Sequence, residues 1–200
     1  IGLMIGLACA GDLINVWVWF EGMAISSYLL VAFYREQAAS LEAGMKYLVQ
    51  SATGSVMVLM GIALVLANAG TLDLPGIREA VSGGDMNRFA LLGAGALFII
   101  GFGVKVAIVP LHTWLPDAHS QAPSGISAML SGVVIEVGLI AMLRALSVLP
   151  GFSLSWGILF MAFGALNMLY GNLLALRQTV VKRMLAYSSL SHIGYILLGL

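Results

Sequence analysis

The sequence predicts an all-α polytopic membrane protein, and three observations carry that prediction. Of its 200 residues, 60% are hydrophobic and only 9% are charged, where a soluble domain holds about a quarter charged. The apolar residues fall in runs long enough to cross a bilayer core of ~30 Å, which takes ~20 residues as a helix. Those runs lack the alternation of a barrel strand, and backbone within lipid must satisfy its own hydrogen bonds, so helices are the remaining solution. Lys and Arg balance Asp and Glu at nine each, so no basic field exists to hold a nucleic acid. The single cysteine, Cys9, allows neither an internal disulfide nor a thiolate cluster, and it reads as a small packing residue.

Seven apolar runs are expected to span, near 1–10, 13–33, 43–67, 89–109, 124–146, 153–175 and 184–200. The chain opens at Ile1 and stops at Leu200 inside apolar sequence, so it reads as a fragment with truncated terminal helices and a single transmembrane domain over 1–200. The breaks are Gly11-Asp12, Tyr34 to Glu42, Gly70 to Arg88, Pro110 to Pro123, Leu149-Pro150-Gly151 and Arg177 to Arg183, none long enough for a second domain. Arg35, Lys46, Arg177, Lys182 and Arg183 fall on one side of the membrane, and Arg78, Arg88 and Arg144 on the other. The positive-inside rule puts the first group in the cytoplasm. Gly93, Gly95, Gly101 and Gly103 are small enough to let neighbouring helices pack closely.

An ionised side chain at the centre of a span costs roughly 2.5–3.5 kcal/mol on insertion scales, so each one needs a partner, a wet cavity or a function. Glu21 lies about 8 residues (~12 Å) into its run and Glu136 about 12 residues (~18 Å) into its own. Lys105 comes late in the 89–109 run, and all three are expected near mid-membrane. One reading is a structural salt bridge that sets helix register; the favoured one is a proton site. Burial weakens an amine's hold on its proton and strengthens a carboxyl's, while a nearby opposite charge reverses both effects. A carboxylate that approaches and leaves Lys105 therefore makes it a switchable proton carrier, without any cofactor.

Pro110 has no N–H for the carbonyl of Val106, and Pro116 has none for that of His112, so the helix is expected to break. Non-helical backbone at membrane depth survives only inside protein or beside water, which predicts a hydrated cavity beside Lys105 and a second short helix near 111–120. Together these make a discontinuous helix over 89–120. The alternative is a surface loop anchored by its Pro and Trp residues, and His112 and His119 share that choice. Ser188 and His192, four residues apart, occupy one helix face. His192 can pass protons onward or simply hydrogen-bond across helices. Lys182 and Arg183 are expected to snorkel to the headgroups; Lys46 does the same or serves an access path.

The segments Gly101-Phe-Gly-Val-Lys105, Pro110-Leu-His-Thr-Trp-Leu-Pro-Asp-Ala-His119, Ala122-Pro123 and Lys182-Arg-Met-Leu-Ala-Tyr-Ser-Ser189 occur in an order and spacing that resemble one family. It is that of the proton-translocating antiporter-like subunits: the large membrane subunits of respiratory complex I, of membrane-bound hydrogenases and of Mrp cation/proton antiporters. The resemblance runs over essentially the whole chain. It implies a fourteen-helix fold of two inverted five-helix repeats, each with a broken helix, of which this chain supplies the first repeat and the start of the second. It also implies that Glu21, in Trp19-Phe-Glu-Gly-Met23, tunes the lysine and that Lys105 carries the proton. The family's sideways relay, commonly Lys or His, falls on Glu136 in Gly132-Val-Val-Ile-Glu-Val-Gly138. A carboxylate there must be protonated at rest where a lysine would be charged. Val180 stands where relatives often have Asp or Asn, and a helix cap is expected to be missing there.

The function so implied is proton translocation in a redox-driven, NADH:quinone oxidoreductase-like translocase of a prokaryotic cell membrane. Glu21, Lys105 and Glu136 would form the relay, with His112 and His192 as further members. No cofactor is expected in this chain. Its partners would be other membrane subunits and redox subunits with iron–sulfur clusters. The first rival is an Mrp-type sodium/proton antiporter subunit without redox coupling; the second is a passive scaffold whose buried charges only hold helices together.

Overall fold

The computed structural model describes residues 1–83, 87–149 and 154–200. Among these the chain folds into α1 (Gly2–Cys9), α2 (Leu13–Val31), α3 (Ala38–Ala69), α4 (Leu74–Ser82), α5 (Arg88–Val106), α6 (Trp114–Gln121), α7 (Ser124–Leu146), α8 (Leu154–Ala175) and α9 (Val181–Leu198). α7 contains one π-helical turn, Leu130–Val134. Five of the seven expected spans, in α2, α3, α5, α7 and α8, are long and apolar enough to cross a membrane. α1 has eight residues, and α9 mixes Lys182, Arg183, His192 and three serines into eighteen. The chain is an integral membrane protein.

Helix starts follow local chemistry. Asp12 accepts from the Asn15 N–H at 2.8 Å to open α2, and Asn87 accepts from the Phe89 and Ala90 N–H groups at 3.0 and 3.4 Å to open α5. Side-chain caps of this kind satisfy amides that have no partner in the first turn. Val180 opens α9 without a side-chain cap, as expected. α4 was not expected: it lies inside the Gly70–Arg88 break, started by Asp73, which accepts from the Gly76 N–H, and by Pro75 in its first turn. Its nine residues are too few to register as a span, although the cap and proline form a start signal. Residues 84–86 of that break, and Pro150 and Gly151 with the expected start of the sixth run at 153, lie outside the described residues. Cys9, expected to pack, is exposed.

α3 is the hub, packed against α2, α5 and α6; α5 also packs on α7, and α1 on α2. α8 and α9 pack against each other, and α9 reaches α6. Gly101 of α5 and Gly54 of α3 form the tightest part of this hub. A Cβ at Gly101 would lie 2.6 Å from the Gly54 carbonyl and 2.9 Å from the Val58 amide. Gly95 likewise accommodates the Trp156 indole at 2.9 Å, whereas Gly93 and Gly103 meet only ordinary contacts. Because backbone cannot swing aside as a side chain can, Gly101→Val is expected to separate α3 from α5. Assembled protein on a native gel should fall at least severalfold, while Gly93→Ala leaves it unchanged.

Five of the basic residues gather in two groups. At one end Arg144 donates to the Ala8 carbonyl at 2.6 Å and Arg78 to the Ser147 hydroxyl at 3.3 Å. The Gly11 and Leu72 loops pair there through Leu13 N–H and Leu74 N–H. At the other end Lys46, Lys182 and Arg183 gather around α6.

Candidate proton-transfer site at the interrupted helix

α5 stops at Val106, short of the expected 109. Ala107 takes a left-handed conformation at φ +60°, and the Ala107 and Ile108 amides donate to the Val104 and Gly103 carbonyls at 3.2 and 2.9 Å. This is the helix-ending pattern normally built with glycine, whose use by an alanine costs roughly 1–2 kcal/mol. Pro110 explains the early stop, because its ring excludes helical backbone in the turn before it.

The freed backbone groups are met by side chains from four other elements. Trp114 Nε1 donates to the Val104 carbonyl at 2.7 Å. Asn167 of α8 accepts from the Val109 N–H at 2.7 Å and donates to the Ala107 carbonyl at 3.4 Å. Gln50 of α3 donates to the Leu111 carbonyl at 3.4 Å, and Lys182 of α9 to the Ala122 carbonyl at 2.9 Å. Trp114, Leu115, Pro116, Ala118 and His119 of α6 are all buried. Ala107, Ile108 and His112 of the break are buried while Pro110 and Thr113 are exposed, so the break is packed against protein over part of its length.

Lys105 is 1% exposed. Its stem packs on α7 at Gly138, where a Cβ would come within 3.3 Å of Lys105 Cγ. Its Nζ donates to Tyr47 Oη at 2.5 Å and lies 4.6 Å from the centre of that ring. Tyr47 is in turn stacked on Trp114 with ring centroids 4.0 Å apart and an interplanar angle of 6°. Among the described residues, no carboxylate makes an ion pair with Lys105 at 4.0 Å or less. Glu21 is partly buried, its Oε2 has no hydrogen-bond partner among the described residues, and its charge acts on Lys105 through space. The two expected partners are thus neighbours and not in contact.

Glu136 departs from expectation. It is exposed in this segment of the protein and makes no ion pair among the described residues. It lies two residues from Gly138, about 200° around the helix. The face of α7 that meets Lys105 therefore cannot also present Glu136, which is exposed and not buried as expected.

His112 is buried and its ring stands edge-on to Tyr170 at 4.8 Å. His119 is 2% exposed; its Nδ1 is 2.8 Å from the Ser127 hydroxyl, and its Nε2 has no partner among the described residues. It borders a cleft of about 420 Å³ together with Ser131, Lys182, Ser188 and His192. Ser188 and His192 share that cleft, as their spacing required, with the His192 side chain exposed. Lys182 and Arg183 do more than snorkel: Lys182 bonds the Ala122 carbonyl, and Arg183 pairs with Asp117 at 3.1 Å. Lys46 is exposed and pairs with Glu42 at 2.7 Å and Asp117 at 3.1 Å. Among the described residues, no group of three or more His, Cys, Asp or Glu side chains is placed to hold a metal ion.

Sequence reading passed over Tyr47, Trp114 and Asn167 as site residues. Asn167 left a usable signal, since an amide in an apolar span has to find a buried partner. Tyr47 left none, because its phenol suits a membrane interface equally well.

The model of a family described as NADH:quinone oxidoreductase/Mrp antiporter, TM, matches residues 10–200. NADH-quinone oxidoreductase subunit N 2 of Symbiobacterium thermophilum is 38% identical over 208 residues, covering 98% of this chain and 41% of that protein. The chain spans about two fifths of the length of the curated relatives it matches. Among solved structures, the archaeal membrane-bound sulfane sulfur reductase contains a chain with a TM-score of 0.87 and 37% identity, covering 98% of this chain and 41% of that one. Respiratory complex I from Thermus thermophilus, with bound aureothin, contains one with a TM-score of 0.81 and 29% identity, covering 98% and 42%.

Proposed function

From the NADH:quinone oxidoreductase/Mrp antiporter transmembrane family, to which this chain belongs, we propose a proton-translocating subunit of a redox-driven, NADH:quinone oxidoreductase-like complex in an energy-coupling membrane. The reading rests on Lys105, a buried amine at the penultimate residue of an interrupted span, next to a partly buried carboxylate that does not touch it. When Glu21 moves toward Lys105 the amine holds its proton, and when Glu21 moves away the proton leaves. His112 and the cleft of His119 and His192 line the access route. Glu136 hands the proton sideways, into parts of the protein beyond these 200 residues.

Moving one charge against 100 mV takes about 2.3 kcal/mol, so the process must be driven. The chain contributes proton-binding groups, and the driver lies in redox partner subunits carrying iron–sulfur clusters, joined through other membrane subunits. The deciding experiment is redox-driven proton uptake by inverted membrane vesicles carrying Lys105→Ala in the full-length protein.

The family description also includes Mrp antiporters, which gives the second reading: sodium/proton exchange without a redox step. Purification of the intact assembly separates the two, since iron–sulfur subunits must co-purify under the first. Glu136 has its own check. Glu136→Gln, which cannot ionise, should slow uptake several times more than Glu136→Asp; equal wild-type rates in both would remove Glu136 from the relay.

A further inference from the structure

We propose that Tyr47 is a positioning residue for Lys105: it holds the amine apart from Glu21 in the resting arrangement, and Ser27 sets the direction of its hydroxyl. The inference rests on the proton-carrier reading of Lys105 and adds a partner from a helix that reading did not use.

Among the described residues, Lys105 Nζ makes a single hydrogen bond, and it goes to Tyr47 on α3, not to a carboxylate. Tyr47 cannot easily follow a moving lysine. It is fully buried, its ring is stacked face to face on Trp114, and the Tyr28 ring stands edge-on to it at 6.4 Å. Trp114 is itself tied to the Val104 carbonyl, one residue before Lys105. The phenol, the stacked indole and the helix end thus form a closed frame around the amine.

Ser27 of α2 is 2% exposed and donates its own proton to the Met23 carbonyl at 2.5 Å. Its hydroxyl proton being engaged, Ser27 is left to accept from Tyr47. Tyr47 then keeps a lone pair for the lysine. In the proposed order Lys105 donates to Tyr47, Tyr47 would donate to Ser27, and Ser27 donates to the Met23 carbonyl. Ser27 and Glu21 both belong to α2, so a displacement of α2 that brings Glu21 toward the amine also loosens the hold on the phenol. Two acceptors compete for one lysine, and α2 decides between them.

The test uses the full-length protein in its intact complex and compares Lys105→Ala, Tyr47→Phe, Ser27→Ala and the Tyr47→Phe/Ser27→Ala double variant. Tyr47→Phe keeps the stacked ring and loses one hydroxyl; proton uptake should fall about tenfold, the effect of one hydrogen bond to a charged group. Its pH profile should move by about one unit, which a packing defect would not produce. Ser27→Ala should fall about threefold, and in the Tyr47→Phe background it should add nothing, because Ser27 acts only through Tyr47. Wild-type uptake by Tyr47→Phe, or a threefold loss that multiplies in the double variant, overturns the proposal. If Tyr47→Phe failed to assemble, Ser27→Ala would decide alone, its loss supporting the proposal and its wild-type uptake overturning it. Full uptake by Lys105→Ala would instead remove the proton-carrier reading itself, whereas inactive Lys105→Ala beside fully active Tyr47→Phe removes the Tyr47 role only.

Discussion

Lys105→Ala is expected to abolish redox-driven proton uptake, by at least a hundredfold, in a complex that still assembles. Two features separate the chemistry from the fold at this position. α5 is ended by Ala107 and by the amides bonding Val104 and Gly103, none of which uses the lysine side chain. The Lys105 stem packs against Gly138, so its loss leaves a void of limited size, and neighbouring side chains can relax into it. Tyr47 keeps its stacking on Trp114. Lys105→Arg should be nearly as inactive, since a guanidinium does not release its proton within any usable pH range. Native gels report assembly, and quenching of a pH-sensitive dye in inverted vesicles reports uptake. An assembled Lys105→Ala complex with normal uptake would favour the passive scaffold, in which buried charges only hold helices together.

Trp114→Ala carries the second-largest effect, and here the expected loss is of the fold. Trp114 is among the largest fully buried side chains, and three functions meet on it: it fills the space between α3 and α5, stacks on Tyr47, and donates to the Val104 carbonyl at the helix break. Removing a buried aromatic side chain costs about 3–5 kcal/mol, a large fraction of the stability of a typical domain. Trp114→Ala should therefore yield little assembled protein. Trp114→Phe retains the ring contact and loses the indole N–H. The Val104 carbonyl then keeps only its 3.2 Å bond from Ala107, at a cost of about 1 kcal/mol. That variant should assemble and show reduced uptake, because the frame around Lys105 is loosened. Equal assembly of the Ala and Phe variants would show that the indole contributes nothing at the break.

Much of this architecture is readable from residue order. Runs of apolar side chains, the missing N–H groups of Pro110 and Pro116, and the presence of Lys105 in a span are local properties, and lipid imposes the same demands on them whatever surrounds them. The five spans, the interruption after Lys105, the short α6 and the shared face of Ser188 and His192 all follow from such properties. Two local features depart from expectation: the Asp73 and Pro75 start of α4, whose nine residues are too short to form a long apolar run, and the side of Ala107 on which α5 ends.

What surrounds the amine is a different kind of fact. Tyr47 and Lys105 are separated by 58 residues, and they meet because α3 and α5 cross closely at Gly54 and Gly101. Asn167, equally remote, reaches the broken backbone because α8 lies beside it. Glu136 has the residue type and depth of a relay group, yet the packing of Gly138 on Lys105 turns it outward. Depth in the bilayer is set along one helix, whereas direction and partner depend on how several helices rotate against each other, a choice made by steric fit between distant segments and written in no single stretch of chain.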